Sequence, residues 1–280
     1  MGLVDLLEKE KKDILERRKE GIFRHLNCPY KNIFLLFFGV VNIALGLVAL
    51  MTFIFLNEVS IPYSTGINNK TLNIKKSAEY KMYVQVGQFN QNYLYYSKSI
   101  STKQLKGEAT FDLSKCKPII SNGNRVYYPC GLIANSFLQD IFTITGKEIS
   151  TKNISWSSEV KKVKPTKYSL NQILAPPLWK PYKEVPNLQG NERFVNWISL
   201  APFNTFRKLY GKVYLEKGVY NFTINSDYPY GNKSVVFAET SWIGVKNYFL
   251  AILCICTGIL MIGGFYFLYD HNNNSFLEYD

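Results

Sequence analysis

The sequence predicts a membrane protein with two transmembrane α-helices and a large extracytosolic ectodomain, antiparallel and β-rich (sandwich-like), with helical and loop insertions. Three observations predict it. Two runs, Ile33–Leu56 and Asn247–Tyr269, contain no Asp, Glu, Lys or Arg. The stretch between them alternates apolar and polar residues in strand fashion at several places. Basic residues crowd one flank of the first run. Five segments result: an N-terminal tail (1–31), a first span (32–56), the ectodomain (57–246), a second span (247–268) and a C-terminal tail (269–280).

Each apolar run is long enough to cross a hydrocarbon core of about 30 Å at about 1.5 Å of helix per residue. Core helices of soluble proteins are usually shorter and keep a polar face, which these runs lack. A cleaved signal core spans only about 7–15 residues near the start of a chain, and the first run is longer and begins further in. Arg17, Arg18, Lys19, Arg24 and Lys31 precede the first span, whereas Lys70 alone follows it over a similar distance. The positive-inside rule then puts both termini in the cytosol and 57–246 in the lumen or outside the cell. Within the spans, Gly39, Asn42, Gly46, Thr257, Gly258, Gly263 and Gly264 suit close helix packing, either of the two spans on each other or on a third helix from a partner.

Of the net charge of +12, the tails carry little, and 57–246 holds 25 basic and 12 acidic residues. On the extracytosolic side this excess meets no nucleic acid; it suits a solvated surface, anionic head groups or an acidic partner. Cys116 and Cys130 alone among the five cysteines fall in the ectodomain, where an oxidising compartment favours a disulfide. That bond closes a short loop and is worth roughly 3 kcal/mol in the chain-entropy model. Cys28 lies on the cytosolic side. Four sequons place candidate N-glycosylation at Asn69, Asn153, Asn221 and Asn232.

Both histidines, His25 and His271, lie in the tails, so the ectodomain has no Ser-His-Asp or Cys-His nucleophile and no His-ligated metal site. No phosphate-binding Gly-rich loop and no Asp-Lys-Thr-Gly motif is present. The reading is a protein without catalytic residues, metal or cofactor.

Residues 3–26 read as a charged helix. Met82–Val86, Val213–Leu215, Gly218–Ile224 and Lys233–Phe237 read as strands. Pro176, Pro177, Pro181 and Pro186 make 171–190 an irregular crossing, and 192–210 reads as mainly helical.

The string Arg125-Val-Tyr-Tyr-Pro-Cys-Gly-Leu-Ile-Ala-Asn-Ser-Phe-Leu-Gln-Asp-Ile-Phe142 closely resembles the signature of the cell division control protein 50 family, also called the ligand-effect modulator family. Ile154-Ser-Trp-Ser-Ser, Asn191-Glu-Arg-Phe-Val-Asn-Trp-Ile, Thr205–Tyr210, Tyr228-Pro and Ser241-Trp-Ile-Gly-Val-Lys-Asn247 resemble further motifs of that family, in the same order. Cys116 and Cys130 match its downstream disulfide. The family's additional upstream cysteines have no counterpart in 57–115. The resemblance implies an accessory β-subunit of a type IV P-type ATPase, a phospholipid flippase. Such a subunit binds the catalytic α-subunit as a heterodimer, sits among membrane lipids and helps its partner leave the endoplasmic reticulum for the Golgi, endosomes or plasma membrane. It also implies partner or core roles for Tyr128, Pro129, Gly131, Asn135, Phe206, Arg207 and Trp242. A two-span trimeric ion channel and a stand-alone receptor share the topology; neither span carries the polar face that a pore requires.

Overall fold

The computed structural model describes residues 29–110 and 112–277, with side chains over 33–110 and 112–268. The helix expected over 3–26, His25 and Cys28 lie outside the described residues. The chain divides at Phe55/Leu56 and at Lys246/Asn247 into a helical unit and a globular unit.

The helical unit is an antiparallel pair, α1 (Pro29–Phe55) and a long C-terminal helix (Tyr248–Leu277). Two glycines let the backbones meet: a Cβ on Gly39 would stand 3.1 Å from the Gly258 carbonyl oxygen, and one on Gly258 would stand 2.7 Å from that of Gly39. Gly46 likewise abuts Ala251 and Ile255. Asn42 donates to the Phe38 carbonyl and points Nδ2 at Met261 Sδ, 3.9 Å away. Thr52 and Thr257 donate to carbonyls of their own helices, which removes their hydroxyls from the demand that hydrocarbon leaves unmet. Gly39, Asn42, Gly46 and Gly258 therefore serve the packing of the two helices on each other, while Gly263 meets nothing within 4 Å.

The globular unit, Leu56–Lys246, is built on two facing antiparallel sheets. One has the order β1 (Glu58–Tyr63), β10 (Asn232–Glu239), β3 (Ala78–Gly87), β8 (Phe206–Leu215). The other is β2 (Gly66–Ile74), β9 (Gly218–Ser226), β6 (Ile141–Ile144). Side chains alternate as the period of two demands. On β9, Phe222, Ile224 and Ser226 point in, and Asn221, Thr223 and Asn225 point out. The layers interlock through aromatic edges, with Phe142 on Tyr210 at 4.7 Å and Phe222 on Phe237 at 5.4 Å between ring centroids. Pro62, which has no N–H to give a ladder, sits on the edge strand β1.

A small third sheet, β4 (Ser121–Asn122), β5 (Arg125–Tyr127) and β7 (Ile173–Leu174), carries the signature string. The helical expectation over 192–210 is corrected: the helix stops at Ile198 and a strand starts at Phe206. Pro202 removes a helical donor and pushes its predecessor out of the helical region. Beyond it Phe206, Tyr210, Val213 and Leu215 are buried strand positions, with one bulge where β8 meets Met82 and Tyr83.

Candidate docking surface

The signature string is core. From Val126 to Asp140 every residue is buried or half-buried. Cys130 is disulfide-bonded to Cys116 across 5.5 Å between Cα atoms. Its backbone N–H donates to Oε1 of the fully buried Gln104, whose amide donates back to the Tyr127 carbonyl. The Ser99 hydroxyl donates to the Lys117 carbonyl and accepts from the Leu132 N–H, both at 2.9 Å. A one-turn helix, α2 (Leu132–Asn135), follows Gly131. Indole N–H groups of Trp179 and Trp197 satisfy its Ala134 and Ile133 carbonyls, and the Asn135 side chain accepts from the Leu178 N–H. Tyr128 is fully buried; burial pushes its phenol up to about 12, and its carbonyl accepts from the Tyr182 hydroxyl.

The Asn-Glu-Arg-Phe motif opens helix α3 (Glu192–Ile198) with one job per residue. Asn191 caps it, accepting from the Phe194 N–H at 3.1 Å. Glu192 accepts three backbone N–H groups from the Asn153–Ser155 segment, at 2.7 to 2.9 Å. Arg193 donates to the Leu138 and Asp140 carbonyls, and Phe194 fills the core. Further along, Asn196 donates to the carbonyls of Ile154 and Leu209 and accepts from the Ser155 hydroxyl. Helix α3 thus fastens the Trp156 segment to the sheet edge.

Between them opens a groove of about 460 Å³, walled by Tyr83, Ile154, Trp156, Leu200, Phe206 and Leu209. Trp156 at its rim is 81% exposed, and Phe203 beyond Pro202 is 74% exposed. Two cations serve it differently. Arg207 lies across the sheet, donating to Gln85 and to Glu58, each at 2.9 Å. Lys208 donates to the Ser199 carbonyl and stands 5.5 Å over the Phe206 ring. No carboxylate among the described residues pairs with Lys208, and burial pulls its ammonium down to about 8. The groove's walls are mainly apolar, with Lys208 and the Lys162-paired Glu159 also on its lining, and an incoming apolar segment that offers Lys208 a carboxylate fits it.

The four sequon asparagines and Trp242 do not line the groove. Asn69 and Asn221 project from the outer face of β2 and β9, each directly opposite the other sequon's threonine, and the Thr223 hydroxyl donates to Asn69. Asn153 sits at φ 54°, one residue before the groove wall, and Asn232 begins β10; all four asparagines are exposed. Trp242 is neither core nor groove and is 81% exposed. Among the described residues no three His, Cys, Asp or Glu side chains gather as a metal site. The groove and the Glu192 and Arg193 contacts were missed from sequence, because their partners are backbone groups tens of residues away.

Glu192 gives an acid-stability prediction. Burial alone would raise its carboxyl, but the Ser155, Asn153 and Ile154 N–H groups and Lys212 outweigh it and hold it below the usual range. A depressed carboxyl contributes stability above its unfolded value of 4.5, and that contribution is lost as pH falls from there through the folded value. Glu192→Gln is expected to cost about 1–2 kcal/mol at neutral pH and to flatten part of the melting-temperature loss below pH 5. Melts of parent and variant against pH check it; parallel curves would refute it.

The chain combines one unit of two helices long and apolar enough to cross a membrane with a second, β-rich unit whose motifs line an open groove, the build of a membrane-anchored module. The family model described as LEM3 (ligand-effect modulator 3) family / CDC50 family matches residues 65–274. The chain belongs to that family and is an integral membrane protein. It is 36% identical over 222 residues to the phospholipid-transporting ATPase accessory subunit CRF1 of Saccharomyces cerevisiae, covering 70% of this chain and 56% of the relative. Similarity to the accessory subunit LEM3 of the same yeast is 32% over 223 residues, covering 67% and 54%. Cell cycle control protein 50A of Rattus norvegicus is 31% identical over 251 residues, covering 75% and 76%. The chain spans about half the length of the two yeast relatives.

Proposed function

We propose that this chain is the non-catalytic accessory subunit of a type IV P-type ATPase that moves phospholipid from the outer to the cytosolic leaflet, supporting its partner's folding, export and transport cycle. Membership of a family whose yeast members are accessory subunits of phospholipid-transporting ATPases carries the reading. Residues 57–246 then face the lumen or cell exterior, with the flanking tails in the cytosol. The Trp156–Lys208 groove receives a loop of the ATPase. Glycans on Asn69 and Asn221 would clothe the β2–β9 face, on the sheet that does not form the groove.

The test is co-expression with a type IV P-type ATPase from the same cell and purification in mild detergent. A stable one-to-one complex is expected, and its loss from the doubly substituted Trp156→Ala, Lys208→Glu chain by at least about tenfold, as for a central hot spot. Recovery of copies of this chain alone would favour the trimeric channel and overturn the proposal. Unchanged recovery of the double variant would overturn the groove assignment only.

A further inference from the structure

We propose that Trp242 is an interfacial anchor whose indole lies in the head-group layer of the leaflet adjoining Leu56–Lys246, and so sets the height of that unit over the bilayer. The observations are local and independent of the groove. Trp242 is a large aromatic residue, yet 81% of it is exposed. Its indole N–H has no partner among the described residues, unlike those of Trp179 and Trp197. The side chain is nonetheless presented by a closed turn. Ser241 and Gly244 exchange backbone hydrogen bonds at 2.9 and 3.0 Å, and the Ser241 hydroxyl donates to the Gly244 carbonyl and accepts from the Ile243 N–H. A turn braced by its own side chain thus holds an aromatic ring in open space, where a surface outside the unit can receive it.

The chain's own connectivity says what is near. The chain enters the globular unit at Leu56, and the last strand before the exit at Lys246 pairs beside that entry: Asn57 donates through its backbone and side-chain amides to Glu239 Oε2, each at 3.0 Å, and the Glu239 N–H returns to the Asn57 carbonyl. Helix α1 ends at Phe55, so Asn57 lies within about 7 Å of a membrane helix along the chain. Trp242 follows Glu239 by three residues and precedes Tyr248, where the second helix begins, by six, which bounds the latter reach to about 20 Å. The same ends of the two helices carry exposed aromatics, Phe55 at 72%, Tyr248 at 42% and Phe249 at 74%. Along the chain Trp242 precedes Tyr248 and Phe249 of this set by only six and seven residues. Indole suits that depth because its ring leaves water while its N–H still finds a lipid carbonyl or water.

The experiment uses the full chain in phosphatidylcholine vesicles brominated either close to the ester linkage or close to the bilayer centre. Subtracting the emission of a Trp242→Phe variant isolates the Trp242 signal, and a Trp156→Phe variant isolates Trp156 as a reference. Shallow bromine is expected to quench the Trp242 signal at least about twofold, with deep bromine and aqueous iodide markedly weaker, as interfacial placement requires. Iodide should dominate for Trp156. Quenching of Trp242 by iodide as strong as that of Trp156, or stronger quenching by deep than by shallow bromine, would overturn the proposal. Phenylalanine keeps an aromatic ring at the turn, and the melting temperature of each variant shows whether the subtraction compares folded chains.

Discussion

Replacing Gly131 by alanine is expected to destabilise the globular unit by about 3 kcal/mol or more, combining backbone strain with overpacking. Its φ of 97° lies where L-residues are disfavoured, and an added Cβ would stand 2.2 Å from the Ser99 carbonyl oxygen and 2.6 Å from its carbon. That carbonyl has little room to withdraw. Ser99 is buried, and its hydroxyl is already committed to Lys117 and Leu132, which follow the two disulfide cysteines closely. Moving it disturbs the Cys116–Cys130 staple and α2 together. Gly123 is the internal control, with φ 60° and nothing within 4 Å of its would-be Cβ. Gly123→Ala should cost only the left-handed penalty of about 1–2 kcal/mol. For a domain of this size the Gly131 effect corresponds to a melting point about 6–12 °C lower. Detergent-solubilised melts of both variants decide it; equal effects would show that the contact with Ser99 yields freely.

The signature string could be recognised from sequence because its residue types are unusual together, but its chemistry could not. Pro129 and Asn135 belong to a string that reads as core beside the disulfide sooner than as partner contact, and the structure buries both and turns Asn135 toward Leu178. The strands that showed themselves, β3, β9 and β10, have several inward apolar residues in alternation. Strand β2 stayed hidden because only Leu72 and Ile74 face in, while Asn69, Thr71 and Asn73 face water. Helix α3 was overextended because the apolar spacing over 192–210 suits a helix through Lys208, Leu209 and Tyr210. Their burial against β3 and α3 is tertiary, and it overrides the local preference. Trp242 was grouped with core or partner residues because a motif shows that a side chain matters without showing where it points. Only accessibility separates it from Trp197, which is 2% exposed.

Arg193→Met is expected to cost about 3–5 kcal/mol, because the residue satisfies buried acceptors with a charge that is itself out of water. Its Nη2 bridges the Leu138 carbonyl at 3.2 Å and the Asp140 carbonyl at 3.1 Å, where the signature string passes into β6. The guanidinium carbon lies 3.9 Å from the centre of the Tyr210 ring, a stacking contact worth about 1–2 kcal/mol when desolvated. Burial pulls the guanidinium below its ordinary range, while Tyr210 and Asp140 favour its charge. Methionine fills much of the volume but leaves two carbonyls without donors. It also strips a cation from the surroundings of the buried Asp140, which accepts from the Tyr63 hydroxyl at 2.9 Å. Lysine separates charge from shape: it keeps the cation but has neither the planar fork nor the stacking face. Arg193→Lys should therefore recover no more than about half of the loss. If lysine restores the parental melting point, charge alone holds the site, and the planar fork that joins α3 to the signature string is not what locks them together.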